Sequence, residues 1–259
     1  MMASKAEKDF PNGVALVIGG SGGTGQVIAQ RFAAAGTNVA ITYRNNRAGA
    51  EAAAEEARKE GIEVELVQLD VADPTSIKAA VDSITAKFGH MHSVIVATGY
   101  DIKMRMIHEV TPEEWRDVIN NDVNGFFNIV HATLPHLREK GGSYVHIGSA
   151  GVVKWPERDV LSVAPKGAIQ QLMKGIAREE GGNNVRANSI AIGVIDAGIF
   201  HRLKDTAFDA EWHRTVQATI ALHRYGQPEE VADTAVFLAS RRAGYVTGQT
   251  ISCDGGWNL

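Results

Sequence analysis

"VALVIGGSGGTGQVIAQRFAAAG", residues 14–36, is the stretch on which the fold turns. Its first five residues are all apolar, as expected of a strand covered on both faces. A glycine-rich turn follows, and then a helix that Gly36 closes. Gly19, Gly23 and Gly25 have the spacing Gly-x-x-x-Gly-x-Gly. Glycine permits the tight turn and lets backbone amides and a helix N-terminus approach a pyrophosphate. A glycine-rich loop alone is weak evidence. Set between a first strand and a helix, it predicts nucleotide binding.

Further along the chain the same alternation continues. Short apolar runs at 38–42, 64–69, 93–97, 143–147, 185–192 and 249–253 read as strands, separated by longer helical stretches. "AGAEAAAEEARKEG" is closed by Gly61, and "DPTSIKAAVDSITAKFG" opens on a capping Asp73 with Pro74 at the first helical position. Repeated β-α order predicts right-handed crossovers and an α/β doubly wound parallel sheet of seven strands with helices on both faces. No linker or repeat interrupts it, so one domain over 12–259 is expected. Residues 1–11 read as a tail, and about 198–222 as an excursion from the sheet.

The 259 residues are 44% hydrophobic and 22% charged, with a formal charge of -4, which gives no electrostatic signature for nucleic acid. One cysteine, Cys253, excludes an intrachain disulfide and fits a reducing, cytoplasmic setting. Its simplest role is a small apolar residue beside a strand. The charged start "MMASKAEKDFPNG" lacks a signal-peptide core, and no apolar run reaches the roughly 18 residues of a membrane span. No metal site is expected.

The end of the second strand discriminates between cofactors. A carboxylate there would bond a ribose 2′-hydroxyl, whereas arginine suits a 2′-phosphate. The sequence is "ITYRNNR", with Arg44, Asn45 and Arg47 and no acid, which favours NADP(H) over NAD(H). The competing reading is two solvated arginines. Asp70, at the end of the third strand, is placed either to meet an adenine or to cap a helix.

With "RYGQPEEVADTAVFLAS" and "YVTGQTISCDGG" added to the glycine turn, the chain resembles the short-chain dehydrogenase/reductase family over roughly residues 12–257. The resemblance implies a single Rossmann-type domain, a small-molecule substrate, a homotetramer or homodimer, and a substrate lid at 198–222. It also implies a cofactor site of Gly19, Ser21, Gly23, Thr24 and Gly25 in the turn, then Arg44, Asn45, Asp70 and Val71. Ala97, Gly99, Lys166, Gly193 and Ile195 complete that site.

The family's catalytic set is Asn-Ser-Tyr-Lys, and the match here is incomplete. Ser149 in "HIGSAG" takes the serine's place and would polarise a substrate carbonyl. Lys166 takes the lysine's place and would hold the nicotinamide ribose. The tyrosine position, four residues before the lysine, is Ser162. The asparagine position falls at Asp122, in "VINNDVNGFF", with Asn120, Asn121 and Asn124 as alternatives within a turn of it. No tyrosine lies between Tyr144 and Tyr225, so no small shift of alignment restores one. The Asn-Asn-Ala-Gly that supports the family's central strand is here "VATG", 96–99.

An aliphatic hydroxyl is far less acidic than a phenol, so Ser162 orients a water at best. Tyr100, just past "VATG", is a substitute acid or a pocket wall. Asp122 is a base, a partner of Lys166 through water, or a helix-surface carboxylate. Asp159 reads as the N-cap of the helix that carries Ser162 and Lys166, and His146 as a packed sheet residue. Phe200, Phe208 and Trp212 suggest an apolar cover, and His201 and His213 add polar options. Three functions remain open: an NADP(H)-dependent oxidoreductase with a nonstandard proton donor; a non-redox lyase, isomerase or cyclase; or a cofactor-binding protein without turnover.

Overall fold

The computed structural model describes residues 8–203 and 208–259; residues 1–7 of the expected tail and 204–207 of the expected lid lie outside the described residues. Seven strands form one sheet: β1 (Val14–Ile18), β2 (Asn38–Tyr43), β3 (Val64–Gln68), β4 (Met91–Val96), β5 (Gly142–Ser149), β6 (Val185–Ile192) and β7 (Thr250–Cys253). Every pairing is parallel and the order is β3-β2-β1-β4-β5-β6-β7. The expected doubly wound sheet is therefore the observed one. Strand ends differ slightly from the sequence reading because pairing, not hydrophobicity, sets them. β5 continues to Ser149, since its ladder with β6 runs on to Ile192.

β1 shows why its residues form a buried strand. All five are buried, and alternate side chains enter opposite layers. Ala15 and Val17 pack with α1 (Gly23–Ala34), α2 (Arg47–Arg58) and α9 (Pro228–Ala239). Val14, Leu16 and Ile18 pack with α3 (Pro74–Phe88), α5 (Gly125–Lys140) and α6 (Val160–Glu180). α2 presents only alanines inward, Ala50, Ala53, Ala54 and Ala57, at the i, i+3, i+4, i+7 spacing of one helix face. α3 begins as its sequence predicts: Asp73 accepts the Thr75 N–H at 2.9 Å, Pro74 follows, and Gly89 ends the helix at φ +71°. Shorter helices complete the chain: α4 (Pro112–Ile119), α7 (Ile199–Leu203) and α8 (Ala210–Thr219).

Two imidazoles are buried within the sheet. His92 lies between Thr37 Oγ1 (2.8 Å) and Ser93 Oγ (2.9 Å). His146 packs edge-on to Phe126, its Nδ1 3.5 Å from Ser189 Oγ, which agrees with the packed role expected for it. Burial pulls both rings from their ordinary 6.5 down to about 3. Once unfolded they take protons near 6.5, so unfolding binds protons throughout the interval between those values. Their effect on stability should be flat above pH 6.5 and should turn destabilising from there down to pH 3. Each ring should contribute about 1.4 kcal/mol per pH unit to that slope. Thermal unfolding across this range should show the decline, and His92→Gln and His146→Gln should each flatten it.

Candidate active site

The strand order reverses between β1 and β4, leaving a crevice beyond their C-terminal ends. The glycine turn forms its floor. Gly19 has φ +79° and donates its N–H to Thr42 Oγ1 at 3.1 Å. A Cβ on Gly25 would lie 2.2 Å from the Gly19 carbonyl oxygen, so α1 presses directly against the turn. Gly23 is required for a different contact: its Cβ would lie 2.6 Å from the backbone nitrogen of Gly198, at the root of α7. α1 starts without a side-chain cap and without an acid in its first turn. Its leading amides and positive dipole end are thus unspent, which fits a diphosphate.

Beside the turn is a cavity of about 290 Å³ lined by Arg44, Asn45 and Asn46 on one side and Leu69 and Val71 on another. Arg44 reaches to 3.4 Å from Asn121 Oδ1. Arg47, expected beside it, is bound to Glu51 at 2.8 Å and does not line the cavity. Asp70 does not line it either: its carboxylate accepts the Ala72 N–H at 3.0 Å, closing a local turn. The helix cap is Asp73, so Asp70 does not take the capping role that was its alternative reading.

A second cavity, of about 600 Å³ and mostly apolar, opens from the first across Gly22, Ala97, Thr98, Gly99 and Tyr100. Gly23, Thr24, Gly25, Gly193 and Ile195 line it, and so do Ser149, Ser162 and Lys166. Ser149 Oγ accepts the Gly151 N–H at 3.1 Å, which leaves its own O–H to donate. Tyr100 packs its ring with Val118, Val160 and Leu161 as a wall.

Asp122 corrects the sequence reading. It is neither a helix-surface carboxylate nor separated from Lys166 by water. It lies in a π-helical turn (Asn120–Asn124) that joins α4 to α5 and turns its side chain inward. Lys166 Nζ donates to Asp122 Oδ2 at 2.8 Å, and the side chains are 13% and 5% exposed. The other carboxylate oxygen accepts the Tyr100 N–H at 3.1 Å. Lys166 retains two further N–H donors, beside Gly99 at the end of β4.

Asp159 is the residue whose role the sequence misassigned. It occupies the N-cap position of α6, but its side chain accepts no capping bond. It lines the second cavity with Ser162 and Lys166. Burial pushes its carboxyl up to about 6, against the opposing pull of Lys166. It therefore adds stability that is complete below pH 3.8 and fades as pH rises through 6, opposite in sense to the two histidines. Its spacing from Ser162 and Lys166 is legible in the sequence, but its place in the cavity wall is not, because helix start and cavity wall coincide at this residue.

Over the cavity, Phe208 and Trp212 stack at 3.7 Å between centroids, with Phe200 beside them. All three line the cavity. Trp257, near the C-terminus, is a lining residue that sequence reading missed. The two histidines of this segment are committed elsewhere: His201 to Asp196 at 2.7 Å, and His213 to the Tyr225 hydroxyl at 2.7 Å. Among the described residues no group of three or more His, Cys, Asp or Glu could hold a metal ion, and no helix is long and apolar enough to cross a membrane.

Comparison with known proteins agrees with this geometry. The family model described as Enoyl-(Acyl carrier protein) reductase matches residues 19–258. The chain is 34% identical over 244 residues to the 3-oxoacyl-[acyl-carrier-protein] reductase FabG of Staphylococcus aureus, covering 93% of this chain and 96% of that protein. It is also 34% identical over 246 residues to the enzyme of that name from Chlamydia muridarum, covering 95% and 97%. A short-chain type dehydrogenase/reductase from Mycobacterium ulcerans superposes with a TM-score of 0.91 at 30% identity, over 97% of this chain and 91% of the other. The switch-point crevice, the glycine turn that floors it and these relatives together assign the chain to the short-chain dehydrogenase/reductase family.

Proposed function

We propose that this protein is an NADP(H)-dependent oxidoreductase acting on a small carbonyl, imine or conjugated substrate, with an altered proton-transfer apparatus. The observation that carries the reading is the continuous crevice, with an uncapped glycine turn at its centre, Arg44 at one end and Lys166 at the other. The first-turn amides of α1 would hold the diphosphate. Arg44, with no acid beside it on β2, would hold the 2′-phosphate. Lys166 would use its remaining donors on the nicotinamide ribose. When bound in reduced form, the cofactor supplies a hydride. Ser149 would donate its hydroxyl to the substrate oxygen.

The relatives at 34% identity are named as reductases of acyl-carrier-protein substrates, which supports carbonyl reduction as the reaction type. In our reading Ser162 stands where the family's tyrosine is expected, and Asp122 where its asparagine is. Asp122 takes up the charge of Lys166 that would otherwise act on a phenol. The apolar, aromatic-covered cavity suits a substrate with a substantial hydrocarbon or ring portion.

NADPH should bind more tightly than NADH, and Arg44→Asp should reverse the order. An arginine–phosphate contact is worth about 1.5–3 kcal/mol, so NADPH affinity should fall roughly 10- to 150-fold in the variant. Fluorescence titration of both cofactors measures this, and equal affinities in the wild type would exclude the NADP(H) assignment. Screening NADPH consumption across ketones, imines and enones, with Lys166→Ala as the control, tests the redox assignment itself.

A further inference from the structure

Resting on the oxidoreductase reading above, we propose that Asp159 is the proton donor of this site, its carboxyl delivering a proton to the heteroatom of the bound substrate. Four observations lead there. First, Asp159, Ser162 and Lys166 follow an i, i+3, i+7 spacing on one face of α6, and all three line the second cavity. Second, the Asp159 carboxyl is uncommitted: it does not cap α6, and among the described residues no side chain or amide bonds it. Its backbone does the structural work instead, the carbonyl accepting the Ser162 and Val163 N–H groups at 3.1 and 2.9 Å.

Third, the chain is held in an unfavourable conformation to place it. Arg158, the residue before, has φ +65°, a region a non-glycine residue seldom occupies. The Arg105 N–H fixes the Arg158 carbonyl at 2.8 Å, a parallel bridge pairs Arg105 with Asp159, and Arg158 Nη2 donates to the Met104 carbonyl at 3.2 Å. Such over-determined strain belongs to positions where geometry serves a function. Fourth, the other acids are unsuited. Asp122 has both oxygens bonded, and Glu157, the other acid lining this cavity, is exposed.

The electrostatics agree. The charged groups that line the cavity with Asp159 come from several elements: Lys166 on its own helix, and Arg158 and Glu157 from the preceding loop. Arg202 on α7 lines the same cavity and is bound to Asp101, and the Arg105 guanidinium is turned to Glu114 at 3.3 Å. Only Lys166 draws the carboxyl down, and burial outweighs it, leaving a group that exchanges its proton near pH 6. That lies close to working pH, where a general acid is most effective.

The step balances as follows. A bound reduced nicotinamide would supply the hydride for the new C–H bond, the C=O or C=N π pair passing to the heteroatom. The Asp159 carboxyl would give that atom its proton, its O–H bond breaking to leave a carboxylate that solvent reprotonates.

The test is Asp159→Asn, which keeps size and N-cap compatibility, with Asp159→Glu as the conservative variant. With a substrate found by the NADPH-consumption screen, wild-type kcat should fall tenfold per pH unit above about pH 6. Asp159→Asn should lower kcat by about 10²–10⁴-fold, lose that limb, and leave the NADPH Kd unchanged. Asp159→Glu should restore part of the rate and a pH limb. Independently of turnover, ¹³C-carboxyl NMR of the wild type should show a titration near pH 6 that Asp159→Asn removes. Wild-type rate and pH profile in Asp159→Asn would overturn the proposal while the oxidoreductase reading stands. So would loss of NADPH binding in that variant, which would mark the role as structural. Failure of the wild type to bind NADPH would sink both.

Discussion

Replacing Lys166 with methionine should lower the unfolding free energy by about 3–5 kcal/mol, because it strands the Asp122 carboxylate inside the protein without its counter-charge. The pair meets at 2.8 Å with side chains 13% and 5% exposed, so water cannot take the lysine's place at little cost. Asp122 would keep only the Tyr100 N–H at 3.1 Å. At about 2–4 °C per kcal/mol, the melting temperature should drop by roughly 6–20 °C. The double variant Lys166→Met/Asp122→Leu should recover most of this loss, since neither charge is then buried. Urea unfolding of the wild type, Lys166→Met, Asp122→Leu and the double variant gives the coupling directly. A single variant within about 1 kcal/mol of wild type would mean that the pair is solvated rather than buried. The prediction concerns stability, so it is readable without a substrate.

Gly25→Val should be more damaging to function and comparably damaging to the fold. A Cβ there would lie 2.2 Å from the Gly19 carbonyl oxygen and 3.0 Å from Gly20 Cα, and neither is the flexible end of a side chain. The turn must therefore open or α1 must shift. Overpacking against fixed backbone costs about 3 kcal/mol, at the upper end of the usual range, and a melting temperature lower by roughly 6–12 °C follows. Displacing the turn also misdirects the amides at the start of α1, so NADPH binding should fall below detection by titration. Gly23→Ala should behave differently, because its new methyl would press on the backbone nitrogen of Gly198 at the root of α7. There the expected effect falls on the aromatic cover of the second cavity, and NADPH affinity should change less than in Gly25→Val.

How much of this was legible in the sequence depends on the distance over which each feature is specified. The strands β1 and β6, the start of α3 and the glycine turn are local patterns of hydrophobicity, capping and backbone freedom. Each was readable from fewer than about 25 consecutive residues. The pairing of Arg47 with Glu51 was equally local, one helical turn apart, and shows why only Arg44 of the two arginines lines the crevice. Asp70 does not cap α3 because Asp73, immediately before Pro74, accepts the Thr75 N–H instead.

The sequence by itself determined the doubly wound sheet, the glycine turn and the position of Ser162 one helical turn before Lys166, because periodicity and spacing act along the chain. Only the tertiary structure decided what surrounds that position. The contact between Lys166 and Asp122 joins residues 44 apart and exists because a π turn rotates Asp122 inward as the turn packs against α6. Asp159 faces the cavity instead of capping its helix because a left-handed Arg158, held by Met104 and Arg105, sets the direction in which the chain enters α6. Both are consequences of how separate elements meet. Residue spacing within one element carries no information about such contacts.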